Sequence, residues 1–343
     1  MSADRLMKQV ILARRPVGMP TLDDFTIVER KVPDIRGGEL LIRARYLSVD
    51  PLQRVRMAPS STYGQTMPLD EVVWGRMVGE VIDSRNADYR VGEFVEGMLG
   101  WSEYAVSDGS TAKAEYAPGL TRVDPDRAPI STALGILGMP GVTAYFSLLE
   151  IGQPKVGETV LVSAAAGMVG SLAGQIARIK GCRVVGIAGG KEKTRYIVDD
   201  LGFDAAIDYK AGIDMVEAIR AACPDGVDVY MDNVGGPIRD AALRTLNRGA
   251  RVPLVGRISQ MHDASPVCPD PQVPLMHARA RMEGFIVYDY EHRAEEASSM
   301  IATWLRSGEL RYRETVTHDI ESAPSAFISM LAGGNIGKQI VKL

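Results

Sequence analysis

The segment from position 160 to position 171 indicates a chemical function more clearly than any other part of this sequence. The segment reads VLVSAAAGMVGS, an apolar run that leads into a turn of small residues and then into a helical pattern. Small residues let a backbone approach a pyrophosphate, and the start of a helix supplies amide donors and a positive dipole end. The spacing is A-x-x-G-x-x-G, with Ala165 where the G-x-G-x-x-G fingerprint has its first glycine.

This strand–turn–helix context favours a dinucleotide site over the alternative, a turn that only packs a helix closely on a strand. The residues predicted to bind the dinucleotide at this turn are Gly167, Met168, Val169 and Gly170.

The end of the next apolar run indicates which dinucleotide is bound. Residues 187–195 read IAGGKEKTR, so glycines stand at the strand tip, where NAD enzymes carry a carboxylate for the ribose hydroxyl. Cations close behind the tip suit a 2′-phosphate. We therefore predict NADPH as the cofactor, with Gly189 and Lys193 in its site. The alternative is a solvated helix start, in which Glu192 opposes the cations.

Two further segments follow predicted strands. Residues 232–236 read DNVGG and residues 255–259 read VGRIS. Ligands of doubly wound sheets bind just beyond the carboxyl ends of the strands, so we expect both segments to contact the cofactor. The candidate residues are Asn233, Val255, Gly256, Ile258 and Ser259. For Asn233, a role only in shaping the turn is the alternative.

The elements that must position these residues change in character along the chain. The first hundred-odd residues are rich in short, glycine-punctuated stretches, which predict a barrel-like antiparallel sheet. From about residue 129, apolar strands alternate with helical stretches, which is typical of a parallel α/β sheet. Predicted strands cover residues 159–162, 183–188, 227–231, 250–255 and 284–288, and predicted helices cover 171–180 and 191–201. Near residue 310 the pattern returns to short strands, so we expect the tail to rejoin the first domain.

Composition narrows the function classes. A chain of 343 residues is long for one core, and 46% hydrophobic with 24% charged residues is ordinary for a globular protein. A net charge of −4 with scattered basic residues argues against nucleic acid as a partner. The chain has neither an apolar run of about 20 residues nor an apolar N-terminal signal, so we expect a cytoplasmic protein without a membrane partner. Its cysteines and histidines are not at metal-ligand spacing, which predicts no metal.

Four segments together resemble one known family, the zinc-independent medium-chain dehydrogenases/reductases. They are residues 137–145 (LGMPGVTAY), 164–170 (AAAGMVG), 232–236 (DNVGG) and 334–341 (GNIGKQIV). The resemblance extends from Leu47 to Lys342. It is strongest to the branch that contains prostaglandin reductase, plant alkenal double-bond reductases and bacterial curcumin reductase.

The resemblance implies an α/β fold in which a doubly wound Rossmann domain accompanies a β-rich GroES-like domain. Residues 1–128 and 306–343 would form the GroES-like catalytic domain, residues 129–305 the NADP-binding domain, and the protein would be a homodimer. Lys193 would contact the 2′-phosphate, and Tyr209 would line the adenosine ribose-phosphate. Asn233 and Asn335 would hold the pyrophosphate or the nicotinamide half, and Tyr288 would lie beside the nicotinamide.

Two positions depart from the family pattern. Leu52 and Met261 stand where the family normally has tyrosines near the substrate or nicotinamide. The substitutions predict a more apolar acceptor pocket and a small hydrophobic substrate, with Tyr63 as a further residue of this pocket.

The implied reaction is the reduction of the C=C bond of an α,β-unsaturated ketone or aldehyde. Hydride would pass to the β-carbon, and negative charge on the carbonyl oxygen would need a hydrogen-bond donor. Tyr288 is the candidate donor, with Tyr63 as a second one, and water would protonate the α-carbon. For Tyr288 the alternative is a tyrosine that only packs on the sheet. A quinone oxidoreductase and a non-catalytic NADPH-binding protein are the alternative functions.

Overall fold

The computed structural model describes residues 5–59, 64–110, 119–261 and 270–343. The chain divides into two compact units, one formed by Met1–Leu134 with Glu314–Leu343 and the other by Gly135–Arg313. The C-terminal segment therefore belongs to the same unit as the N-terminal segment.

The first unit begins with short strands and one short helix. Their bounds are β1 (Leu6–Leu12), β2 (Phe25–Lys31), β3 (Leu40–Ser48), α1 (Pro51–Arg56), β4 (Met77–Ser84), β5 (Phe94–Gly97), β6 (Tyr104–Ser107) and β7 (Thr121–Val123).

The second unit alternates helices and strands. Their bounds are α2 (Met139–Phe146), β8 (Thr159–Ser163), α3 (Met168–Ile179), β9 (Arg183–Ala188), α4 (Lys191–Arg195), β10 (Ala205–Asp208), α5 (Met215–Ala222), β11 (Val227–Met231), α6 (Gly236–Leu243), β12 (Leu246–Leu254), α7 (Gln272–Ala278), β13 (Arg281–Gly284) and α8 (Ala294–Arg306). The π-helical segments Ser147–Gly152 and Tyr196–Asp200 extend α2 and α4, and the 3₁₀ segments are Ile258–Gln260 and Val287–Arg293.

The chain then returns to the first unit through β14 (Glu314–His318), α9 (Ala323–Leu331) and β15 (Lys338–Lys342). Shorter 3₁₀ segments of this unit are Leu22–Asp24, Ile130–Leu134 and Ile320–Ser322.

The sheet of the second unit is a parallel, doubly wound sheet. Its strand order is β10-β9-β8-β11-β12-β13, and every neighbouring pair is parallel. The chain runs outward from β8 to β10 and then outward in the opposite direction from β11 to β13. All five residues of β8 are buried, as expected for a strand covered on both faces. This arrangement confirms the predicted Rossmann fold and places the reversal of strand order between β8 and β11, where such sheets bind ligands.

One predicted strand of this sheet is wrong. The sequence favoured a strand over residues 284–288, but β13 ends at Gly284 and a 3₁₀ helix begins at Val287. The Phe285 amide still donates to the Leu254 carbonyl at 3.1 Å, and the chain then turns. The Phe285 ring stacks on Tyr290 at 5.2 Å between centroids, so an aromatic contact holds the turned segment.

The large sheet of the first unit follows the order β14-β15-β3-β4-β5-β7, with β6 paired to β3. The pairs among β3, β4, β5, β6 and β7 are antiparallel, as predicted for the first part of the chain. From the C-terminal segment, β15 pairs with β3 antiparallel and with β14 in parallel. The rings of Phe25, Trp101 and Phe327 meet in its core at centroid distances of 5.9 to 6.2 Å.

In the described part of the chain, no helix combines the length and the apolar character needed to cross a membrane.

Candidate cofactor and acceptor site

The turn between β8 and α3 holds the backbone in a tight curve. Ala164 adopts a left-handed conformation with φ of 50°, which is uncommon for residues other than glycine. Gly167 caps α3, and its amide donates to the Ala164 carbonyl at 2.9 Å. A Cβ added at Gly170 would lie 2.5 Å from the same carbonyl oxygen, so this position requires glycine. The first amides of α3, at Met168, Val169 and Gly170, lack acceptors within the helix and are suited to an anion.

Asp232 organises the turn that follows β11. Its Oδ1 accepts hydrogen bonds from the Tyr230 hydroxyl at 3.0 Å and from the amides of Val234 and Gly235 at 3.1 and 2.8 Å. Burial raises the pKa of the Asp232 carboxyl, although the backbone amides oppose the rise. This network fixes the backbone of the turn at the carboxyl end of β11.

Asn233 joins the ends of β8 and β11 directly. Its Nδ2 donates to the Ser163 carbonyl at 2.8 Å, and its backbone amide donates to Ser163 Oγ at 3.0 Å. The Asn233 Oδ1 accepts no hydrogen bond from the described residues, so one polar atom of this side chain is available to a ligand. Asn233 can therefore shape the turn through its Nδ2 and backbone amide and still contact the cofactor through its Oδ1.

The segment after β12 packs on the Asp232 turn. The amides of Val255 and Gly256 donate to the Asp232 carbonyl at 2.9 and 3.0 Å. Ser259 Oγ donates to the Val234 carbonyl at 2.7 Å. These bonds bring residues 232–236 and 255–259 to one edge of the sheet, as the sequence predicts.

Residues 258–260 form a short 3₁₀ helix in this segment, and Met261 is its C-terminal capping residue. The Ile258 amide lies 3.4 Å from the Asn233 carbonyl. Met261 is half-buried. Met261, which is expected in the acceptor pocket, therefore comes just after residues 255–259, which are expected to contact the cofactor.

A second cluster lies at the end of β9, where the 2′-phosphate is predicted. The Tyr209 ring covers Gly189 so closely that a Cβ there would lie 2.8 Å from ring atoms. Burial lowers the pKa of Lys193, and the nearby Lys210 ammonium lowers it further. The Lys210 Nζ also lies 5.9 Å from the centre of the Tyr209 ring. The structure therefore brings Gly189, Lys193 and Tyr209 together and adds Lys210 to them.

The Asp208 carboxylate, which sequence reasoning did not select, ties this cluster together. Its Oδ1 accepts from the amides of Gly190 at 2.7 Å and Lys210 at 2.9 Å, and these bonds hold the pKa of Asp208 below its usual range. Glu192, expected to oppose the cations, lies 3.8 Å from the Arg313 guanidinium. Glu192 also acts on Lys193 electrostatically and partly opposes the lowering of its pKa, as the sequence leads one to expect.

Tyr288 lies in the 3₁₀ helix that follows β13, and it is not the strand-end residue that the sequence favoured. Its side chain is half-buried and its hydroxyl oxygen has no contact with solvent. Two residues on, the Tyr290 ring stacks against Phe285 and against Phe146, whose centroid is 4.8 Å away. This stack anchors the 3₁₀ helix beyond the carboxyl end of β13.

Within the first unit, Leu52 lies half-buried on α1. The N-terminus of this helix is capped by Asp50, whose amide donates to Gln53 Oε1 at 2.8 Å. Lys338 Nζ, on β15, donates to Asp50 Oδ1 at 2.7 Å and to the Val49 carbonyl at 2.8 Å. A buried ion pair, also not selected from the sequence, therefore fixes the helix that carries Leu52.

Asn335 stands just before β15, and its Nδ2 donates to the Gly337 carbonyl at 2.8 Å. It belongs to the first unit, whereas the other candidate cofactor residues belong to the second. Tyr63, the remaining candidate for the acceptor pocket, lies outside the described residues.

Comparison with known proteins decides the family. Residues 8–114 match a family described as the N-terminal domain of oxidoreductase, and residues 168–303 match one described as zinc-binding dehydrogenase. A putative NADP-dependent oxidoreductase of Bacillus subtilis, YfmJ, is 46% identical over 98% of this chain and 97% of its own length. The chain belongs to the medium-chain dehydrogenase/reductase superfamily.

Within this superfamily, the chain belongs to the branch that contains curcumin, prostaglandin and 2-alkenal reductases, as its resemblance predicts. The NADPH-dependent curcumin reductase of Escherichia coli is 41% identical over 97% of this chain and 96% of its own length. The crystal structure of CurA from Vibrio vulnificus in complex with NADPH is 44% identical, covers 98% of both chains and superposes with a TM-score of 0.90.

The second matched family is described as zinc-binding, so the question is whether side chains of this protein could bind a metal ion. In residues 5–59, 64–110, 119–261 and 270–343, no group of three or more His, Cys, Asp or Glu side chains could hold a metal ion. Cys182 and Cys223 are buried, and burial raises the pKa of each thiol to about 11.

Proposed function

We propose that this protein is an NADPH-dependent reductase of the C=C bond of α,β-unsaturated ketones and aldehydes. The observation that carries the proposal is the cluster at the end of β9, where Lys193 is partly desolvated beside a second ammonium. The membership of the chain in the branch of NADPH-dependent curcumin reductase supports the same cofactor and the same class of acceptor.

The residues present fit NADPH. A lysine whose pKa is lowered by burial and by another lysine gains strongly from a bound anion, and a 2′-phosphate is such an anion. No atom lies within 4 Å of the Cβ position of Gly190, so the start of α4 is open beside this cluster. Gly189, Lys193 and Tyr209 would hold the 2′-phosphate end of the cofactor.

Helix α3 would hold the pyrophosphate through the amides of its first turn. Asn233 offers its Oδ1, and residues 255–259, fixed on the Asp232 turn, line the same sheet edge. The family resemblance assigns Asn335 to the nicotinamide half of the cofactor, and this assignment stays a prediction. We propose residues 129–305 as the NADP-binding domain and residues 1–128 and 306–343 as the GroES-like catalytic domain, with these boundaries as predictions.

When bound, NADPH supplies a hydride for the β-carbon of the acceptor. As the β-carbon gains this hydride, negative charge develops on the carbonyl oxygen. The Tyr288 hydroxyl donates a hydrogen bond to that oxygen and stabilises the charge. Water then protonates the α-carbon. Tyr288 thus acts as an electrostatic stabiliser, while its proton stays on the phenol.

Leu52, Met261 and Tyr63 define the proposed acceptor pocket. Leucine and methionine offer no hydrogen-bond donor, so we propose Tyr288, with Tyr63 as the second candidate, for carbonyl recognition and expect the pocket to favour small hydrophobic acceptors. Leu52→Tyr and Met261→Tyr should shift kcat/KM toward more polar acceptors. An unchanged acceptor profile in both variants would contradict this assignment.

We also propose a homodimer in the cytoplasm. The outer edge of β13 bears no further strand in the described residues, and β13 is an end strand of its sheet. On the preceding helix α7, Val273 and Met276 are 54% and 68% exposed. An open strand edge next to exposed apolar side chains is suited to a second copy of the chain.

Initial rates of NADPH oxidation with enals, enones and quinones test the proposed function, with NADH assayed in parallel. Turnover of enals and enones with a strong preference for NADPH is the expected result. Faster turnover of quinones would favour a quinone oxidoreductase. Tight NADPH binding without turnover of any acceptor would favour a non-catalytic binding protein.

A further inference from the structure

The segment that carries Tyr288 is a long 3₁₀ helix. It spans Val287–Arg293, seven residues, whereas 3₁₀ helices usually end after about three or four because their hydrogen bonds are poorly aligned. At its start the Asp289 amide donates to the Ile286 carbonyl at 3.2 Å. A 3₁₀ helix of this length depends on side-chain contacts to hold it in place.

Arg293, the last residue of this 3₁₀ helix, pairs with two carboxylates. Its Nε and Nη2 donate to the two carboxylate oxygens of Glu296 at 2.8 and 3.0 Å. Its Nη1 donates to Glu150, in the π-helical segment that extends α2, at 2.8 Å. The hydrogen bonds from Arg293 hold the pKa of Glu296 below its usual range. A planar guanidinium that bonds one carboxylate through two nitrogens is fixed in direction as well as in distance.

The same guanidinium contacts the ring of Phe146, a fully buried residue of α2. The Arg293 Cζ lies 4.7 Å from the centre of that ring. The Tyr290 ring also stacks on Phe146, with the two ring planes 19° apart. Two side chains of the 3₁₀ helix are therefore tied to one aromatic ring of α2. We call Arg293, Glu150, Glu296 and Phe146 the Arg293 cluster.

The charged groups of the Arg293 cluster are partly exposed, so they act on this segment more than on the stability of the whole protein. The side chains of Arg293, Glu150 and Glu296 are 36%, 40% and 45% exposed, and exposed ion pairs add little to the free energy of unfolding. Their hydrogen bonds instead favour one position of the 3₁₀ helix over positions that lack these partners. Tyr288 lies in the same helix, so the position of its hydroxyl depends on the cluster.

The proposed chemistry makes the position of the Tyr288 hydroxyl critical. A donor stabilises a developing oxyanion when it lies about 2.7–3.1 Å from that oxygen, and a misplacement of about 1 Å can lower the rate about 100-fold. A 3₁₀ helix held loosely at its end would leave the hydroxyl outside this range for part of the time.

We propose that Arg293 is a positioning residue, which holds the 3₁₀ helix so that the Tyr288 hydroxyl reaches the carbonyl oxygen of the acceptor. Arg293 acts through Tyr288 and not by contact with the acceptor. This inference rests on the proposed function.

Hydrogen–deuterium exchange tests the Arg293 cluster without turnover. Arg293→Met keeps an apolar side chain beside Phe146 but removes both ion pairs, so the amides of residues 287–293 should exchange about three- to tenfold faster. Arg293→Lys, which keeps the charge without the planar fork, should be intermediate. Arg220→Met removes an exposed ion pair with Glu217 on α5 and should leave exchange in residues 287–293 unaltered. Unchanged exchange in Arg293→Met would overturn the proposal.

A double-mutant cycle with Tyr288→Phe tests whether the cluster acts through Tyr288. Arg293→Met should lower kcat on an enone by about tenfold and leave the Kd for NADPH unchanged. In the Tyr288→Phe protein the same substitution should have little further effect, because the hydroxyl that it would misplace is absent. Equal losses in both proteins would show that Arg293 has only a structural role and would overturn the proposal. Arg293→Lys replaces Arg293→Met in the cycle if the latter does not fold.

The two experiments separate this inference from the proposed function. Turnover of enones by the wild-type protein, with equal losses in the cycle, would refute the role of Arg293 alone. Absence of turnover of every enone and enal by the wild-type protein would refute the proposed function. The exchange experiment would then still decide whether Arg293 holds the 3₁₀ helix.

Discussion

Lys193 is the residue on which the choice between NADPH and NADH depends most. Its ammonium is destabilised in the free protein, because burial and the neighbouring Lys210 both lower its pKa. Tyr209 and Gly189 close one side of the cluster, and Asp208 uses its carboxylate on backbone amides. The cluster therefore combines the ammonium groups of Lys193 and Lys210 at the end of β9, and a bound phosphate would stabilise both charges.

Lys193→Met should raise the Kd for NADPH by about 10- to 100-fold, as expected for loss of a hydrogen bond between charged groups. The Kd for NADH, which has no 2′-phosphate, should change little. Both constants follow from fluorescence titration of the reduced cofactors. Lys155→Met removes an exposed lysine of the same unit and should leave both values unaltered. Equal losses for NADH and NADPH would refute the assignment.

The affinity for NADPH should also depend on pH through Lys193. Because the pKa of this lysine is lowered in the free protein, it loses its proton at a lower pH than an exposed lysine does. The Kd for NADPH should therefore rise as the pH increases through that lowered pKa, and this rise should be smaller in Lys193→Met. Identical pH profiles in the two proteins would exclude Lys193 as the titrating group.

Tyr288→Phe should lower kcat/KM on enones by about 100-fold, because the developing oxyanion loses its donor. The Kd for NADPH should not change. Tyr290→Phe is the matched control, since it keeps the aromatic ring that stacks on Phe146 and Phe285. Loss of activity in the Tyr290 variant alone would place the donor elsewhere.

At the scale of elements, local patterns predicted much of the site, and contacts between distant segments were not predictable. The strands β9 and β11 have the predicted bounds. Gly167 and Gly170 stand at the predicted turn, which is predictable because its conformation depends on residues close together in the sequence. Strand β10 was not predicted, since it has only four residues, and Asp208 at its end was missed with it. The burial of Arg56 depends on how distant segments of the chain pack around α1, so no local sequence pattern predicts it.

The ion pair of Lys338 with Asp50 links α1 to β15 across the chain. Lys338→Met leaves Asp50 without its cation, so the free energy of unfolding should fall by about 3–5 kcal/mol, as for other buried pairs that lose one partner. Urea denaturation measures this change. Lys8 forms an exposed ion pair with Glu321 in the same unit, so Lys8→Met should lower the free energy of unfolding far less, because solvent screens this pair. Similar losses in both variants would show that burial does not distinguish the two pairs.

At the scale of the whole molecule, the open edge of β13 and the exposed side chains of α7 are the basis for the predicted homodimer. Met276→Glu places a charge in this surface and should shift the protein from dimer to monomer in analytical ultracentrifugation. Met300→Glu, at a methionine of α8 that is 41% exposed, should leave the dimer intact. A monomeric wild-type protein would refute the prediction outright.

The central claim is that hydride reaches the β-carbon of the acceptor. The most direct test is to reduce an enone with NADPH that carries deuterium at both positions of nicotinamide C4 and to locate the label by NMR. The proposed reaction predicts one deuterium on the β-carbon of a saturated ketone and none on the α-carbon. Deuterium on the former carbonyl carbon, in an allylic alcohol, would contradict it.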